Sequence, residues 1–322
     1  MLGNKKVLTL IATAFVLLAL PGSALAGKVV PSPPVDATIK LSFTGLSHRA
    51  VLAGGNWSVK GTVSAFVAGQ TVRVRFFRRG RVVLERELAI TDDGGVGRFT
   101  LPVKMRKSGR LTIRASHAAT AEMSSAQAKV AHVTVAARYA KAGSRGLAVR
   151  YLQSRLSRLG YVVGRRGYYD ARTGRAVLAF RKVTGMQRNY VAGSLVFSRL
   201  ARGWGRFKVR YKNHGRHIEG DLTHQVLALI DHGKAVRIYP TSSGKASTPT
   251  IQGNFRVYRK EPGTNSHGMI FSSYFIRGYA IHGYVEVPVY PASHGCFRIP
   301  PPDAVSVYNW IHVGTPVDVY YR

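Results

Sequence analysis

Apolar and polar residues alternate through much of the first third of the chain. A period of two is typical of strands that bury one face and expose the other. Turn sequences such as Arg79-Gly80 separate the alternating segments. Short strands at this spacing predict an immunoglobulin-like β-sandwich over residues 38–136. The clearest alternating segments are residues 39–43, 71–76, 111–114 and 130–135.

After residue 140 the spacing of apolar residues changes to that of a helix. The leucines of residues 145–159 fall on one face of a predicted helix, which ends at Gly160. A second helix is expected to begin near Thr173, with Asp170 or Thr173 itself as its N-cap. These two helices predict a small α-helical domain over residues 141–203.

The remainder, residues 207–322, returns to strand-like patterns. Residues 225–230 and 235–239 flank a turn and predict a β-hairpin. One helix is expected over about residues 302–311, with Asp303 in its first turn. The fold class is therefore predicted to be multidomain and mainly β, with one small helical domain in the middle. Further strands are predicted at residues 255–258, 279–282 and 316–320.

The composition is that of a folded protein with a large excess of positive charge. Hydrophobic residues make up 45% of the chain, while 48 Lys and Arg residues stand against 14 Asp and Glu residues, for a net charge of +34. Such an excess indicates an anionic partner, although a preference for Arg at exposed positions for the sake of solubility is an alternative. The single cysteine excludes an intramolecular disulfide and a cysteine-cluster zinc site.

The start of the chain has the three parts of a secretory signal peptide over residues 1–26. Two lysines precede an apolar run over residues 7–20, and Ala24-Leu25-Ala26 supplies the cleavage pattern. The run is shorter than the roughly 20 residues of a spanning helix, which makes an uncleaved anchor the lesser alternative. Residues 27–37 are Pro-rich and predicted to be a linker. Export predicts a location in the cell wall or periplasm, with the membrane contacted only transiently. Nucleic acid is then not an expected partner, and anionic polymers of the wall are.

The predicted helices share a set of positions with one known pattern, in which a helix ending in Gly-Tyr is followed by a helix with a late aromatic residue. The positions are Gly146, Val149, Leu152, Gln153, Leu156, Leu159, Gly160, Tyr161, Asp170, Thr173, Ala176, Val177 and Phe180. Together they resemble the small peptidoglycan-binding domain of secreted wall enzymes, except that Arg181 replaces the usual Gln. The resemblance implies that residues 141–203 bind peptidoglycan glycan, with a helical spacer as the alternative.

The candidate chemistry lies in two motifs, Ile281-His282-Gly283 and Ser293-His294-Gly295-Cys296. A cysteine acts as a nucleophile when a nearby base or positive charge favours its thiolate, and the two histidines are expected to supply both. The N–H groups of Gly295 and Cys296 are candidates for an oxyanion hole. A buried, inert thiol is the alternative.

With Phe297-Arg298, these motifs resemble the signature of the L,D-transpeptidase catalytic domain of the YkuD family. The resemblance implies that residues 207–322 form this domain, that Cys296 is the nucleophile and that His282 is its base. It also implies that His294 helps to shape the site. Further matches are Ile218, Asp221, Leu222, Gln225, Ser243-Gly244 and residues 314–317.

The resemblance assigns roles to the neighbours of these groups as well. The carbonyl of Gly283 is expected to orient the ring of His282, and Ser293, Gly295 and Arg298 are expected near the substrate. Bracing of the loop is the alternative for Ser293 and for Arg298, which has Asp303 five residues on as a possible ion-pair partner. His267 is expected to be an ordinary loop residue.

Three departures from the family pattern stand out. Gly220 occupies a position that is usually Val. The usual Thr-Pro-x-Gly turn is replaced by residues 250–253, Thr-Ile-Gln-Gly, with the displaced Thr248-Pro249 as the alternative. The interval from His282 to Cys296 is also short. The resemblance implies that a shorter loop alters the substrate cleft and leaves the thiol chemistry unchanged.

The implied reaction has two half-steps. Cys296 attacks the carbonyl of the third residue of a tetrapeptide stem, expels the terminal D-Ala and leaves a thioester. An amine of a neighbouring stem then accepts the acyl group, which crosslinks peptidoglycan. Carbapenem-type β-lactams, which mimic such a stem, are implied to acylate the same thiol.

Other acceptors and other classes remain open. Water as acceptor would make the protein an L,D-carboxypeptidase, and a protein lysine would make it an anchoring enzyme. A catalytically silent structural protein that binds the wall and a metal-dependent amidase are the alternatives from other classes. The sequence carries no metal-ligand pattern, so neither a metal nor a cofactor is expected.

Overall fold

The computed structural model describes residues 32–322. The predicted signal peptide and the first part of the predicted linker lie outside the described residues. Residues 32–322 are mainly β, with 42% strand and 15% helix. No helix within residues 32–322 is long and apolar enough to cross a membrane.

The first domain consists of two sheets that pack around one apolar core, and it confirms the predicted sandwich. One sheet has the order β1-β3-β7-β6, and the other has the order β2-β10-β8-β4-β5, with β9 paired to β8. Trp57 and Phe76 meet edge to face in the core, with their ring centroids 6.0 Å apart. The strands are β1 (Ile39–Thr44), β2 (Ala50–Leu52), β3 (Asn56–Val63), β4 (Thr71–Arg78), β5 (Arg81–Ala89), β6 (Thr91–Asp93), β7 (Val96–Lys104), β8 (Gly109–His117), β9 (Ala126–Gln127) and β10 (Ala131–Ala136).

Three helices follow, α1 (Leu147–Arg158), α2 (Ala171–Val183) and α3 (Ser194–Ala201). Asp170 is the N-cap of α2, because its carboxylate accepts a hydrogen bond from the Thr173 N–H at 2.8 Å. Capping by Asp170 was one of the two sequence-based alternatives. The sequence did not predict α3, a helix of eight residues without a side-chain cap.

The last domain contains two further sheets and one helix. The larger sheet has the order β13-β12-β11-β19-β14, and the smaller one has the order β15-β16-β17-β18. The predicted hairpin, the predicted strand before Gly283 and the predicted helix are confirmed. The elements are β11 (His217–Asp221), β12 (Val226–Asp231), β13 (Lys234–Pro240), β14 (Gly253–Arg256), β15 (Arg259–Thr264), β16 (Ile270–Ile276), β17 (Tyr279–Gly283), β18 (Phe297–Ile299), α4 (Pro301–Trp310) and β19 (Pro316–Tyr320).

Strand β12 joins the helical domain to the last domain. Its residues Val226, Ala228 and Ile230 pack into the core of the helices, while Leu227 and Leu229 pack into the core of the last domain. Burial on both faces explains why β12 is continuously apolar rather than alternating. The core of the helices therefore includes residues of the last domain, and the two domains share it.

Candidate active site

The parallel pairing of β17 and β18 places the predicted catalytic residues on one face. His282 lies opposite Arg298, and Ile281 lies opposite Phe297. Ile281 and Phe297 are buried in the core of the last domain. Because successive side chains of a strand point to opposite faces, His282 and Arg298 face away from that core. Cys296 directly precedes β18, and its Sγ lies 3.4 Å from the backbone nitrogen of Ala280 in β17.

His282 is held as a neutral imidazole with a defined tautomer. Its side chain is buried, and its Nδ1 lies 2.8 Å from the Gly283 carbonyl oxygen. A carbonyl only accepts hydrogen bonds, so Nδ1 carries the proton and Nε2 keeps a free lone pair. Burial, together with the positive charge of Arg298, lowers the pKa of His282 to about 4. The ring is therefore a base at neutral pH.

Cys296 is half-buried and carries its proton at rest. Its Sγ accepts a hydrogen bond from the Ala280 N–H at 3.4 Å and lies 3.9 Å from the Gly278 carbonyl oxygen. Burial raises the pKa of the Cys296 thiol, although the Ala280 N–H and Arg298 act in the opposite direction. The expectation that His282 supplies positive charge to the resting thiol is wrong, because burial keeps the imidazole neutral. Within residues 32–322, the hydrogen bonds of Sγ run to Ala280 and Gly278.

The loop before Cys296 is built around a glycine that no other residue replaces without strain. Gly295 has φ +116°, and a Cβ there would lie 2.2 Å from the ring of Tyr279. Its N–H donates to the Ser293 hydroxyl at 3.1 Å, and that hydroxyl donates to the Cys296 carbonyl at 2.6 Å. The Gly295 N–H is thus already engaged. Of the two candidate donors for an oxyanion hole, the Cys296 N–H remains.

Buried residues of a neighbouring segment hold this loop by hydrogen bonds. The Ser243 carbonyl accepts the Ser293 N–H at 2.9 Å. The Thr250 hydroxyl accepts the Gly244 N–H at 2.9 Å and donates to the Gly295 carbonyl at 2.8 Å. Thr250 is the first residue of the altered Thr-Ile-Gln-Gly turn, and the sequence pattern gave it no role. Its hydroxyl links that turn to residues 293–296, the nucleophile loop.

Arg298 stacks on an aromatic ring rather than pairing with an acidic side chain. Its guanidinium lies 4.1 Å from the centroid of the Tyr284 ring, and within residues 32–322 it makes no ion pair. The alternative of an Arg298–Asp303 ion pair is wrong, because the buried Asp303 carboxylate is held by Arg172 at 2.7 Å and by Arg175 at 3.1 Å. The charge of Arg298 thus remains available on the face that carries His282.

The other predicted site residues lie around this centre. The side chains of His294 and His267 are exposed, and neither joins the buried face of His282. Gly283 is buried, and a Cβ there would lie 2.7 Å from that of Ala304 in α4. Among residues 32–322, no three His, Cys, Asp or Glu side chains come together as metal ligands.

The unusual Gly220 is explained by its neighbour across the core. A Cβ at Gly220 would lie 2.3 Å from the Phe297 ring. The large apolar residue after the nucleophile therefore occupies the space that a Val at position 220 would fill.

Two family models match the chain. The L,D-transpeptidase catalytic domain, called YkuD, matches residues 215–319, which include both motifs of the site. A peptidoglycan binding domain model matches residues 145–200, which include all three helices between the sandwich and the last domain. A comparison with curated proteins gives no match.

Solved structures show the same likeness. The crystal structure of an L,D-transpeptidase from Xylanimonas cellulosilytica is 34% identical, covers 57% of this chain and 98% of its own, and has a TM-score of 0.51. An L,D-transpeptidase from Stackebrandtia nassauensis is 24% identical over 56% of this chain and 94% of its own, with a TM-score of 0.37. The catalytic domain of the Enterococcus faecium L,D-transpeptidase is 29% identical over 33% of this chain and 98% of its own, with a TM-score of 0.30.

Proposed function

The chain belongs to the L,D-transpeptidase family, and from this premise we propose that it acylates its own Cys296 with a peptidoglycan tetrapeptide stem and transfers the acyl group to an amine, which crosslinks the wall. The observation that carries this proposal is that the protonated thiol of Cys296 directly precedes β18, the strand that pairs with the strand of the neutral His282. Such a pair suits general-base activation of the thiol during attack.

In the first half-step, the Cys296 proton moves to Nε2 of His282 while Sγ bonds to the carbonyl carbon of the third stem residue. The oxygen of the tetrahedral intermediate takes the negative charge, and the Cys296 N–H is the donor available to it. The bond to the terminal D-Ala nitrogen then breaks, and the imidazolium returns its proton to that leaving amine. A thioester and free D-Ala result.

In the second half-step, the amine of a neighbouring stem attacks the thioester carbonyl, and His282 takes the proton that the amine loses. The carbon–sulfur bond breaks, and the departing thiolate recovers this proton. The Nδ1–H bond to the Gly283 carbonyl supports this shuttle, because it keeps Nε2 directed away from Gly283 in both half-steps.

The neighbours of the pair have supporting roles in this proposal. Arg298 offers a cation without an acidic partner, which fits the carboxylate at the end of a tetrapeptide stem. Ser293 and Gly295 act on the substrate through the shape of the nucleophile loop, because their polar groups are used within it. His294 contributes at the exposed rim of the site.

The partner of the helical domain in this proposal is the wall itself. The family match of residues 145–200 supports binding to peptidoglycan, and the net charge of +34 supports contact with other anionic wall polymers. Both domains act on or bind wall material, so the proposed location is outside the cytoplasm, in the cell wall or periplasm.

Mass spectrometry of the purified protein with a tetrapeptide-stem muropeptide tests the proposal. With donor alone, we expect an acyl-enzyme on the only cysteine of the chain, and with an acceptor stem we expect a crosslinked dimer. Cys296→Ala should abolish both products. Hydrolysed stem without dimer would show an L,D-carboxypeptidase instead, and a protein that binds wall sacculi but never forms the thioester would show a silent wall-binding protein.

A further inference from the structure

Lys182 of the helical domain binds the end of the β12–β13 hairpin that lies opposite its turn. Lys182 lies near the end of α2 and is 2% exposed. Its Nζ donates to the Gln225 carbonyl at 3.0 Å and to the Thr241 carbonyl at 2.8 Å. These two residues directly precede β12 and follow β13, and the Thr241 N–H also bonds to the Gln225 carbonyl at 3.0 Å. One amine from the helical domain thus holds both ends of a hairpin of the last domain.

The first route from Lys182 to the nucleophile runs through Gln225. This residue has a left-handed backbone, with φ +56°, and its buried amide faces Ser243. Its Nε2 donates to the Ser243 hydroxyl at 2.7 Å, and its Oε1 accepts the Ser243 N–H at 3.0 Å. The Ser243 carbonyl in turn holds Ser293, whose hydroxyl binds the Cys296 carbonyl.

The second route is shorter and reaches the other side of the nucleophile. The Thr241 hydroxyl donates to the Arg298 carbonyl at 2.7 Å. Arg298 is the second residue after Cys296. The two carbonyls held by Lys182 therefore belong to residues that bind the chain before and after the nucleophile.

Burial of the Lys182 amine costs free energy of folding. Burial, with the repulsion of Arg188, lowers the pKa of Lys182 to about 7. A lowered pKa means that the folded state disfavours the charged form of this side chain. Well-packed apolar side chains often replace buried charges without loss of stability. The amine is thus better explained by the geometry that it fixes than by the stability that it adds.

A neighbouring arginine makes a similar contact. Arg188, in the segment after α2, donates to the Val289 carbonyl at 2.9 Å and to the Thr223 carbonyl at 3.1 Å. Val289 lies in the short segment between His282 and Cys296. The helical domain thus reaches the surroundings of the site at two separate points.

We propose that Lys182 is a positioning residue, through which the peptidoglycan-binding helical domain fixes the loop that carries Cys296. The helical domain is then a working part of the acyl-transfer site as well as a wall-binding module. This inference rests on the proposed function, because it concerns the rate of the same acylation.

The test is single-turnover acylation of the full chain by the stem donor, with Lys182→Met compared with wild type. We expect the acylation rate constant at saturating donor to fall about 10- to 100-fold, the cost typical of a small misplacement of a reacting group. The half-saturating donor concentration and the pelleting with sacculi should not change. The pH midpoint of Cys296 alkylation by iodoacetamide should move down towards the ordinary thiol value of about 8.5 as the loop loosens.

Arg172→Gln is the matched control. It removes one of the two arginines that hold Asp303 at another point of the same interface, and Arg175 remains as a partner. We expect wild-type acylation and an unchanged alkylation profile from this variant. Equal losses in both variants would overturn the inference, since they would show a general effect of weakening the interface.

Gln225→Asn tests the two hydrogen bonds between the Gln225 amide and Ser243. If Lys182→Met does not fold, this variant decides whether the contact positions the loop. Asn tolerates the left-handed backbone, keeps the carbonyl that Lys182 binds and is one methylene too short for both bonds to Ser243. It should reproduce the loss in acylation rate constant. Wild-type rates in these variants would overturn the positioning role, whereas a wild-type protein that never acylates would refute the proposed function itself.

Discussion

At the scale of single residues, the chemistry depends on protonation states that burial sets. Desolvation favours the neutral forms of both His282 and Cys296, so the resting site holds a thiol and an imidazole rather than an ion pair. In the proposed reaction, the nucleophile forms when His282 accepts the thiol proton during attack. This state also protects the lone thiol from reaction with solvent oxidants, because the thiolate is the reactive form.

The pH dependence of carbapenem adduct formation follows from these states. His282 is a base above its pKa of about 4, so the rate should fall below that pH and show no step near 6.5, the ordinary value for histidine. His282→Ala should slow the adduct by roughly 10²- to 10⁴-fold at pH 7. Intact-protein mass spectrometry over a pH series measures both effects.

His294→Ala is the control for this experiment. Its side chain is exposed on the neighbouring loop, so its loss should affect the rate much less than the loss of His282. If the two variants slowed the reaction equally, or if the wild-type rate showed a step near pH 6.5, His282 would not be the base.

At the scale of elements, the nucleophile loop depends on a backbone that only glycine accepts. Gly295 is forced into a left-handed conformation with the Tyr279 ring directly beside its Cα. The hydroxyls of Ser293 and Thr250 then hold the loop by hydrogen bonds to the carbonyls of Cys296 and Gly295. The loop is therefore a preorganised element rather than a flexible connection.

Gly295→Ala and Gly314→Ala separate backbone strain from steric conflict. Both glycines have a left-handed φ, but a Cβ at Gly314 meets nothing within 4 Å, whereas one at Gly295 meets the Tyr279 ring. We expect Gly314→Ala to cost about 1 kcal/mol in unfolding free energy, and Gly295→Ala to cost about 1–3 kcal/mol more and to abolish most acylation. Denaturant unfolding and adduct formation measure the two effects, and equal behaviour of the variants would contradict the steric argument.

At the scale of the whole molecule, the chain consists of an independent sandwich and a two-part body. The sandwich has its own core, and in the part of the chain that the structure describes, Leu52 is its one apolar residue packed partly against the core of the helices. The helical domain, in contrast, covers one face of β12 and supplies Lys182 to the hairpin end. Deleting the helices is therefore not a clean test of wall binding, because it also uncovers the last domain.

Truncation tests this division. A chain without residues 38–136 should keep its adduct formation, whereas one without residues 141–203 should lose soluble, cooperatively folded protein. Removal of the helices exposes Val226, Ala228 and Ile230, and full burial of a Val or Ile side chain contributes about 1.5–3 kcal/mol. The two larger side chains alone contribute about as much as the lower end of the stability of a typical domain, roughly 5 kcal/mol. Thermal unfolding followed by circular dichroism distinguishes the two truncations, and a stable, active chain without the helices would contradict the shared core.

The sequence by itself determined the elements whose pattern is local. Alternation predicted the sandwich strands, the hairpin of β12 and β13 was visible from its turn, and the two motifs around His282 and Cys296 identified the site. The sequence did not predict helix α3, because eight residues without a side-chain cap give too weak a periodic pattern.

Only the tertiary structure decided which partners these groups meet. Asp303 is closer in sequence to Arg298 but pairs with Arg172 and Arg175, more than a hundred residues away. The pKa directions of His282 and Cys296 depend on the burial that distant segments create, and the bond of Lys182 to the hairpin joins two domains. Hydrogen bonds, ion pairs and desolvation depend on distances in space, and a one-dimensional pattern does not contain them.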